Sequence, residues 1–177
     1  MDQSLAVWIL IALALVTANL PFLSERPFLV LPWEQAGEPA RPSWLRWIET
    51  AVFLALLVGL AYAALALIGN AFLVGSGLGS VMLLLAKVLG IFLVAAVLLS
   101  YPGWRNRGRP VRKSFPERLI EVIAFYGLVG TLGRAFESNI GNPFSQKWEF
   151  YAITFCLFLV LAYPGFVYRY LMRRRKA

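Results

Sequence analysis

Histidine is missing altogether from this 177-residue sequence, and cysteine occurs once. Without histidine, the commonest metal ligand and the commonest general acid or base at neutral pH are both gone. The single thiol, Cys156, has no partner for an internal disulfide and no second cysteine for a metal site. Charge is scarce too, with nine acidic residues against seventeen basic ones. No Ser/His/Asp set, Cys-x-x-Cys or acidic metal cluster can be assembled from what remains. The glycine-rich stretch Gly75-Ser76-Gly77-Leu78-Gly79 lacks the lysine and the preceding strand of a phosphate-binding loop. The expectation is a protein that is not an enzyme, with no catalytic residues, no metal and no cofactor.

What the chain has in abundance is apolar surface. Hydrophobic residues make up 60% of it and mean hydropathy is +0.70, against roughly 45–50% apolar content in soluble domains. The bilayer, rather than a globular core, absorbs that surface. The net charge of +8 is spread over short segments between apolar runs, where anionic phospholipids attract it. No basic stripe interleaved with aromatics is present, so nucleic acid is not an expected partner.

The fold class that follows is all-α, a polytopic membrane protein with five transmembrane helices. A hydrocarbon layer about 30 Å thick needs about 20 helical residues. The first span covers residues 5–23; its start carries Asp2 and no basic residue, so it reads as a retained anchor rather than a signal peptide. A connector over 24–43 contains Pro27, Pro32, Pro39 and Pro42 and is expected to be irregular. The charge-free run 50–86 is too long for one crossing and divides at the Gly/Ser stretch 75–80 into spans 47–73 and 81–101. A fourth span, 119–134, is the shortest and is expected to snorkel Glu121 and Arg134 to the interfaces. The fifth covers 150–168.

Basic residues choose the direction. Arg26, Arg41 and Arg46 fall in or beside the first connector. Arg105, Arg107, Arg109, Arg112, Lys113 and Arg118 separate spans three and four, and Arg169, Arg173, Arg174, Arg175 and Lys176 follow span five. Fourteen of seventeen therefore share one side, which is expected to be cytoplasmic. The amino terminus is then periplasmic and the carboxyl terminus cytoplasmic, in a bacterial inner membrane. From this set, Arg105, Arg107, Arg109, Arg112, Lys113 and the 173–176 run are candidates for contact with lipid headgroups or acidic partner surfaces.

The last four spans read as a parallel repeat of two hairpins. Arg46-Trp47-Ile48-Glu49 matches Arg118-Leu119-Ile120-Glu121, and Ile68-Gly69-Asn70 matches Ile140-Gly141-Asn142, at one common offset. Tyr101-Pro102-Gly103 and Tyr163-Pro164-Gly165 close the two units and are expected to stop their helices. The organisation is a first anchor (1–24), a Pro-rich cytoplasmic loop (25–43), one two-helix unit (44–110) and a second with a basic tail (111–177).

Polar residues near the membrane are costly and are the structural candidates. Arg46 with Glu49, and Arg118 with Glu121, have the three-residue spacing of an ion pair on one helix. Lys87 and Glu149 occupy equivalent positions in the two units and are expected to pair across them. Asn19, just before Pro21, is placed either to bond across a helix interface or to mark a helix exit. Gly59, Gly69, Gly127, Gly130 and Gly133 are candidates for close helix approach.

Three segments carry a family resemblance: Ala18-Asn19-Leu20-Pro21-Phe22 with Glu25-Arg26, Trp148-Glu149-Phe150-Tyr151-Ala152-Ile153-Thr154, and Pro164-Gly165-Phe166-Val167-Tyr168-Arg169-Tyr170-Leu171. Together they resemble the DUF2818 family of small proteobacterial membrane proteins, whose members have three spans. The resemblance covers residues 1–30 and 111–176, and the intervening 41–110 reads as an added copy of the second and third spans. It supplies no catalytic or binding residues. Its implication is contextual, since members are commonly encoded beside the last membrane subunit of complex I, the proton-pumping NADH:quinone oxidoreductase. The expected function is a non-catalytic accessory subunit of that membrane arm. The alternatives are a small transporter or lipid-handling protein, or a complex I assembly factor.

Overall fold

The computed structural model describes residues 3–35, 37–39, 41–69, 78–108, 111–141 and 145–172. Five long helices carry them: α1 (Gln3–Leu23), α2 (Ser43–Ala64), α3 (Leu78–Arg105), α4 (Phe115–Ile140) and α5 (Trp148–Val167). Helix α2 ends in a π-helical turn, Leu65–Gly69, and α5 in another, Tyr168–Met172. All five are long and apolar enough to cross a membrane. The stretch 24–42 has no helix or strand among its described residues, as its four prolines require. The glycine-rich turn expected at 75–80 falls largely outside the described residues, as do Asn70 and Asn142.

Helix α4 corrects the expectation of a short fourth span. It begins before residue 119 and runs on past 134, because its start is well capped. Pro116 occupies the first turn, and Ser114 and Glu117 exchange side-chain and backbone bonds in a capping box. At the far end Gly141 stops the helix at φ +83°, a conformation that favours glycine. The Tyr-Pro-Gly triplets also depart from expectation. Pro102 and Pro164 both lie inside their helices, which continue beyond them.

Helix α4 is the centre of the bundle. Buried Val122, Phe125, Val129, Leu132 and Phe136 lie along one stripe at alternating spacings of three and four. Its first part packs with Ala18 and Phe22 of α1 and Phe158 and Ala162 of α5. Its second part meets Ala6 of α1 and Ile68 of the α2 π turn. On another face, Ile120, Ala124 and Leu128 back the cluster of Leu29, Phe53 and Leu57. Of the spanning window, 39% is buried in α4 but only 6% in α3. So α4 is held by the protein, and α3 is mostly surface.

Successive helices alternate in direction. The end of α1, the start of α2, the end of α3, the start of α4 and the end of α5 meet at one end of the bundle, joined by Glu49–Arg105, Arg118–Glu25 and Arg169–Glu25 pairs. At the opposite end, Asn139 Nδ2 donates to the Ile68 carbonyl over 2.9 Å. Among the described residues, the basic positions of the first connector, of the segment between α3 and α4, and Arg169 are thereby gathered at the first of these two ends.

Candidate functional site

The strongest concentration of polar chemistry lies where that basic end enters the apolar spans. The last carbonyls of α1 have no partner within their own helix, and in hydrocarbon an unmet carbonyl is expensive. Arg118, on the first turn of α4 and fully buried, supplies the donors. Its Nη1 donates to the carbonyls of Pro21 (2.5 Å), Ser24 (3.3 Å) and Phe22 (3.4 Å). Its Nη2 donates to Glu25 at 2.8 Å. A guanidinium at the negative end of α1 is also favoured by the helix dipole. The other oxygen of Glu25 meets Arg169 from the end of α5. One carboxylate thus ties α1, α4 and α5 together. Partial burial pushes the Glu25 carboxyl up, but Arg169 and Arg118 outweigh it and hold it below the ordinary range.

A second latch lies beside it. Lys113, just before the α4 cap Ser114, and Glu121, nearly two turns inside, are 2.6 Å apart with almost no exposed side-chain area. Glu121 also accepts the Phe28 backbone N–H at 2.8 Å. The ammonium of Lys113 sits 4.4 Å from the centre of the Phe28 ring. The first connector is therefore pinned to α4 by charge, hydrogen bond and aromatic contact at once. Burial pulls the Lys113 ammonium below the usual lysine range, and the Glu121 carboxylate opposes that pull.

The expected three-residue pairs do not form, which corrects both. Arg118 bonds Glu25 rather than Glu121, and Arg46 bonds Glu34 at 2.5 Å rather than Glu49. Glu49 instead takes Arg41 at 3.2 Å and Arg105 at 2.6 Å. Side chains lean toward the helix start, so an arginine on the first turn reaches out past the helix end. A glutamate one turn later leans into the space behind it and finds the residue eight positions upstream. The same rule removes the expectation that Glu121 snorkels.

The headgroup-contact candidates divide. Lys113 is buried and Arg105 is committed to Glu49, so neither is presented to lipid as expected. Arg107 and Arg112 are exposed. Arg109 and the 173–176 run lie outside the described residues. The expected Lys87–Glu149 pair is also corrected, since neither makes an ion pair among the described contacts. Helix α3 packs on α2 and its π turn rather than on α5.

Asn19 does bond across an interface. Its Nδ2 donates to the Leu161 carbonyl at 2.8 Å and its Oδ1 accepts the Gly165 N–H at 2.7 Å. Those two backbone groups, four residues apart, are ones an α-helix would join to each other. Asn19 inserts its amide between them from α1, in a turn where Pro164 already lacks a backbone donor. A Cβ on Gly165 would lie 2.8 Å from Asn19 Oδ1, so this approach needs a glycine. Of the other candidate glycines, Gly69 and Gly133 closely face Ser138 and Leu10, whereas Gly59, Gly127 and Gly130 face open space.

Sequence reasoning missed the Glu25–Arg169 contact and the role of Phe28, both made by the first connector. The one available signal was the coincidence of Glu25 with the arginine that follows span five. Chemically, the arrangement can hold helices in register. Among the described residues no group of three or more His, Cys, Asp or Glu is placed to hold a metal.

No curated protein and no solved structure matches the chain. The family described as a protein of unknown function, DUF2818, matches twice, over residues 6–104 and again over 80–173. The first match spans α1 to α3 and the second α3 to α5, which is consistent with an internal duplication. Together they cover nearly the whole sequence, and the chain belongs to the DUF2818 family.

Proposed function

We propose that this protein is a non-catalytic accessory subunit of the membrane arm of bacterial complex I, stabilising helix packing or lipid contacts there. The observation that carries the proposal is α3. A spanning helix with only 6% of its window buried meets its own bundle along one narrow stripe that includes Val88, Ile91, Phe92 and Leu99. Met82, Leu89 and Leu93 are each about two-thirds exposed or more. Such a helix offers a long apolar flank to helices of another membrane protein, where association rests on close packing rather than on a hydrophobic force. Complex I is named as the assembly because family members are commonly encoded beside its last membrane subunit.

The orientation belongs to the same proposal. Arginines and lysines crowd one end of the bundle, and basic ends stay cytoplasmic. That puts the amino terminus in the periplasm and the carboxyl terminus in the cytoplasm of an inner membrane. Anionic phospholipids are the natural counterpart of exposed Arg107 and Arg112.

The parallel repeat of two hairpins, α2–α3 and α4–α5, is proposed on the charge geometry. Arg41–Glu49 and Lys113–Glu121 are ion pairs at the same eight-residue separation. They sit at the repeat offset from one another. Gly103 and Gly165 both lie against the end of α1 or the connector after it.

Complex I purified in mild detergent and analysed by mass spectrometry tests the assignment. This chain should copurify with the finished enzyme. Finding it only on partly built complexes would turn the reading to assembly, and its absence from both would end it. Labelling of a cysteine placed at residue 177 from the periplasm would overturn the orientation.

A further inference from the structure

At the end of the bundle away from the charge latches, α4 and α5 meet only sparsely. They touch at Tyr126, whose ring is edge-on to Phe155 and Phe158. Between them, with the first half of α1 as floor, lies a cavity of about 470 Å³. That is within the range of about 300–1,000 Å³ in which small-molecule sites fall. Its wall is apolar, with Leu10, Ala14, Val129, Leu157, Phe158 and Leu161 prominent. Gly130 also lines it, and a Cβ there would meet nothing within 4 Å.

Two features select the occupant. The hydroxyls along the wall have acceptors for both of their protons: Tyr126 Oη and Thr154 Oγ1 lie 2.8 Å apart, and each is within hydrogen-bond reach of an α5 carbonyl. A ligand acceptor at that depth would find no uncommitted donor, whereas a hydrocarbon chain needs no hydrogen bond. The remaining polar groups gather at one end. There the Arg134 guanidinium lies 3.6 Å from the Glu137 carboxylate. Gln146 Nε2 donates to both Glu137 oxygens, at 3.0 and 3.3 Å. Arg134 is six residues from the end of α4, about 9 Å of helical rise, close to where headgroups meet hydrocarbon. Adjacent charges of both signs complement a phosphate and an ammonium on one molecule.

We infer that this cavity is a lipid site, binding one acyl chain of a zwitterionic phospholipid along Gly130 with its phosphate–ammonium headgroup at Arg134 and Glu137. The inference is independent of complex I, since it concerns a groove within the chain itself. It also differs from general solvation by the bilayer, because residues of α1, α4 and α5 all line the site.

Full-length protein in nanodiscs containing a trace of phosphatidylethanolamine with a diazirine in its acyl chain provides the test. After illumination, peptide mapping should find crosslinks at Leu10, Val129 and Phe158 several-fold above those at Leu89 and Leu93 of α3. Gly130→Phe, which projects a ring into the cavity, should abolish the excess. Gly127→Phe, with equally open space but outside the cavity, should leave it. A phosphatidylglycerol probe of the same chain should label less, and Arg134→Ala should erase that preference. Equal labelling on α3, an unaltered pattern in Gly130→Phe, or stronger labelling by phosphatidylglycerol would each overturn the proposal. Should Gly130→Phe fail to fold, native mass spectrometry of the unaltered protein decides. One retained phosphatidylethanolamine supports the site, and none removes it.

Discussion

Replacing Lys113 with methionine separates the latch geometry from a headgroup-facing lysine more sharply than any other single change. The ammonium and the Glu121 carboxylate are 2.6 Å apart with 0% and 2% of their side chains exposed. Removing the cation leaves a buried carboxylate with the Phe28 N–H as its remaining close donor. Breaking one partner of a buried pair costs about 3–5 kcal/mol. Removing an exposed lysine costs no more than about 1 kcal/mol. The double variant Lys113→Met/Glu121→Gln takes away the stranded charge and keeps an acceptor for Phe28. It should therefore recover most of the loss, to within about 1–2 kcal/mol of the unaltered protein. Unfolding in mixed micelles, followed through the six tryptophans, measures these three together with Glu121→Gln alone. A loss below about 1 kcal/mol for Lys113→Met, or single losses that simply add in the double variant, would refute the buried pairing.

Other expectations follow from the remaining contacts. Asn19→Leu removes both bonds to the Pro164 turn and should cost about 0.6–2 kcal/mol, read as a lower unfolding midpoint in the same micelles. Gly165→Ala drives a Cβ to 2.8 Å from Asn19 Oδ1 and 3.2 Å from the Asn19 carbonyl. Such overpacking should cost about 1–3 kcal/mol, and thermal scans showing no change would sink the close-approach argument. Glu25 is held below its ordinary 4.5, so the unfolded chain binds its proton first as pH falls. Its contribution is complete above 4.5 and is lost as pH drops through the lower folded value. Stability measured from about pH 6 to about pH 3 should therefore show a gap between the unaltered protein and Glu25→Gln that narrows only at the acid end.

Periodicity and charge made the scaffold legible. The long uncharged runs specify five crossings because hydrocarbon tolerates only backbone that bonds within its own helix. The crowding of arginines after alternate spans gathers them at one end for any chain that crosses and returns. The expected span 119–134 falls short of α4 because Glu117 and Arg118, read locally, argue against a membrane helix. Arg118 is answered by Glu25, far back in the chain, while Glu117 caps Ser114 and Glu121 pairs with Lys113, so these charges anchor the helix start instead of ending the span. Asn19 is legible as a candidate, since an amide near the inner end of an apolar span either finds a partner or marks a helix exit, but Leu161 and Gly165 as its partners are not.

By itself, then, the sequence determined the solvent, the number of helices, their alternating direction and the family. Those properties depend on residues close together in the chain. Tertiary structure alone decided which arginine answers which glutamate, that Lys113 is hidden while Arg112 is not, and that α4 is the hub while α3 is the flank. Each of those turns on contacts between segments distant in sequence, such as Glu25 with Arg118 and Arg169. Spacing along one helix says nothing about which neighbour another helix brings within reach.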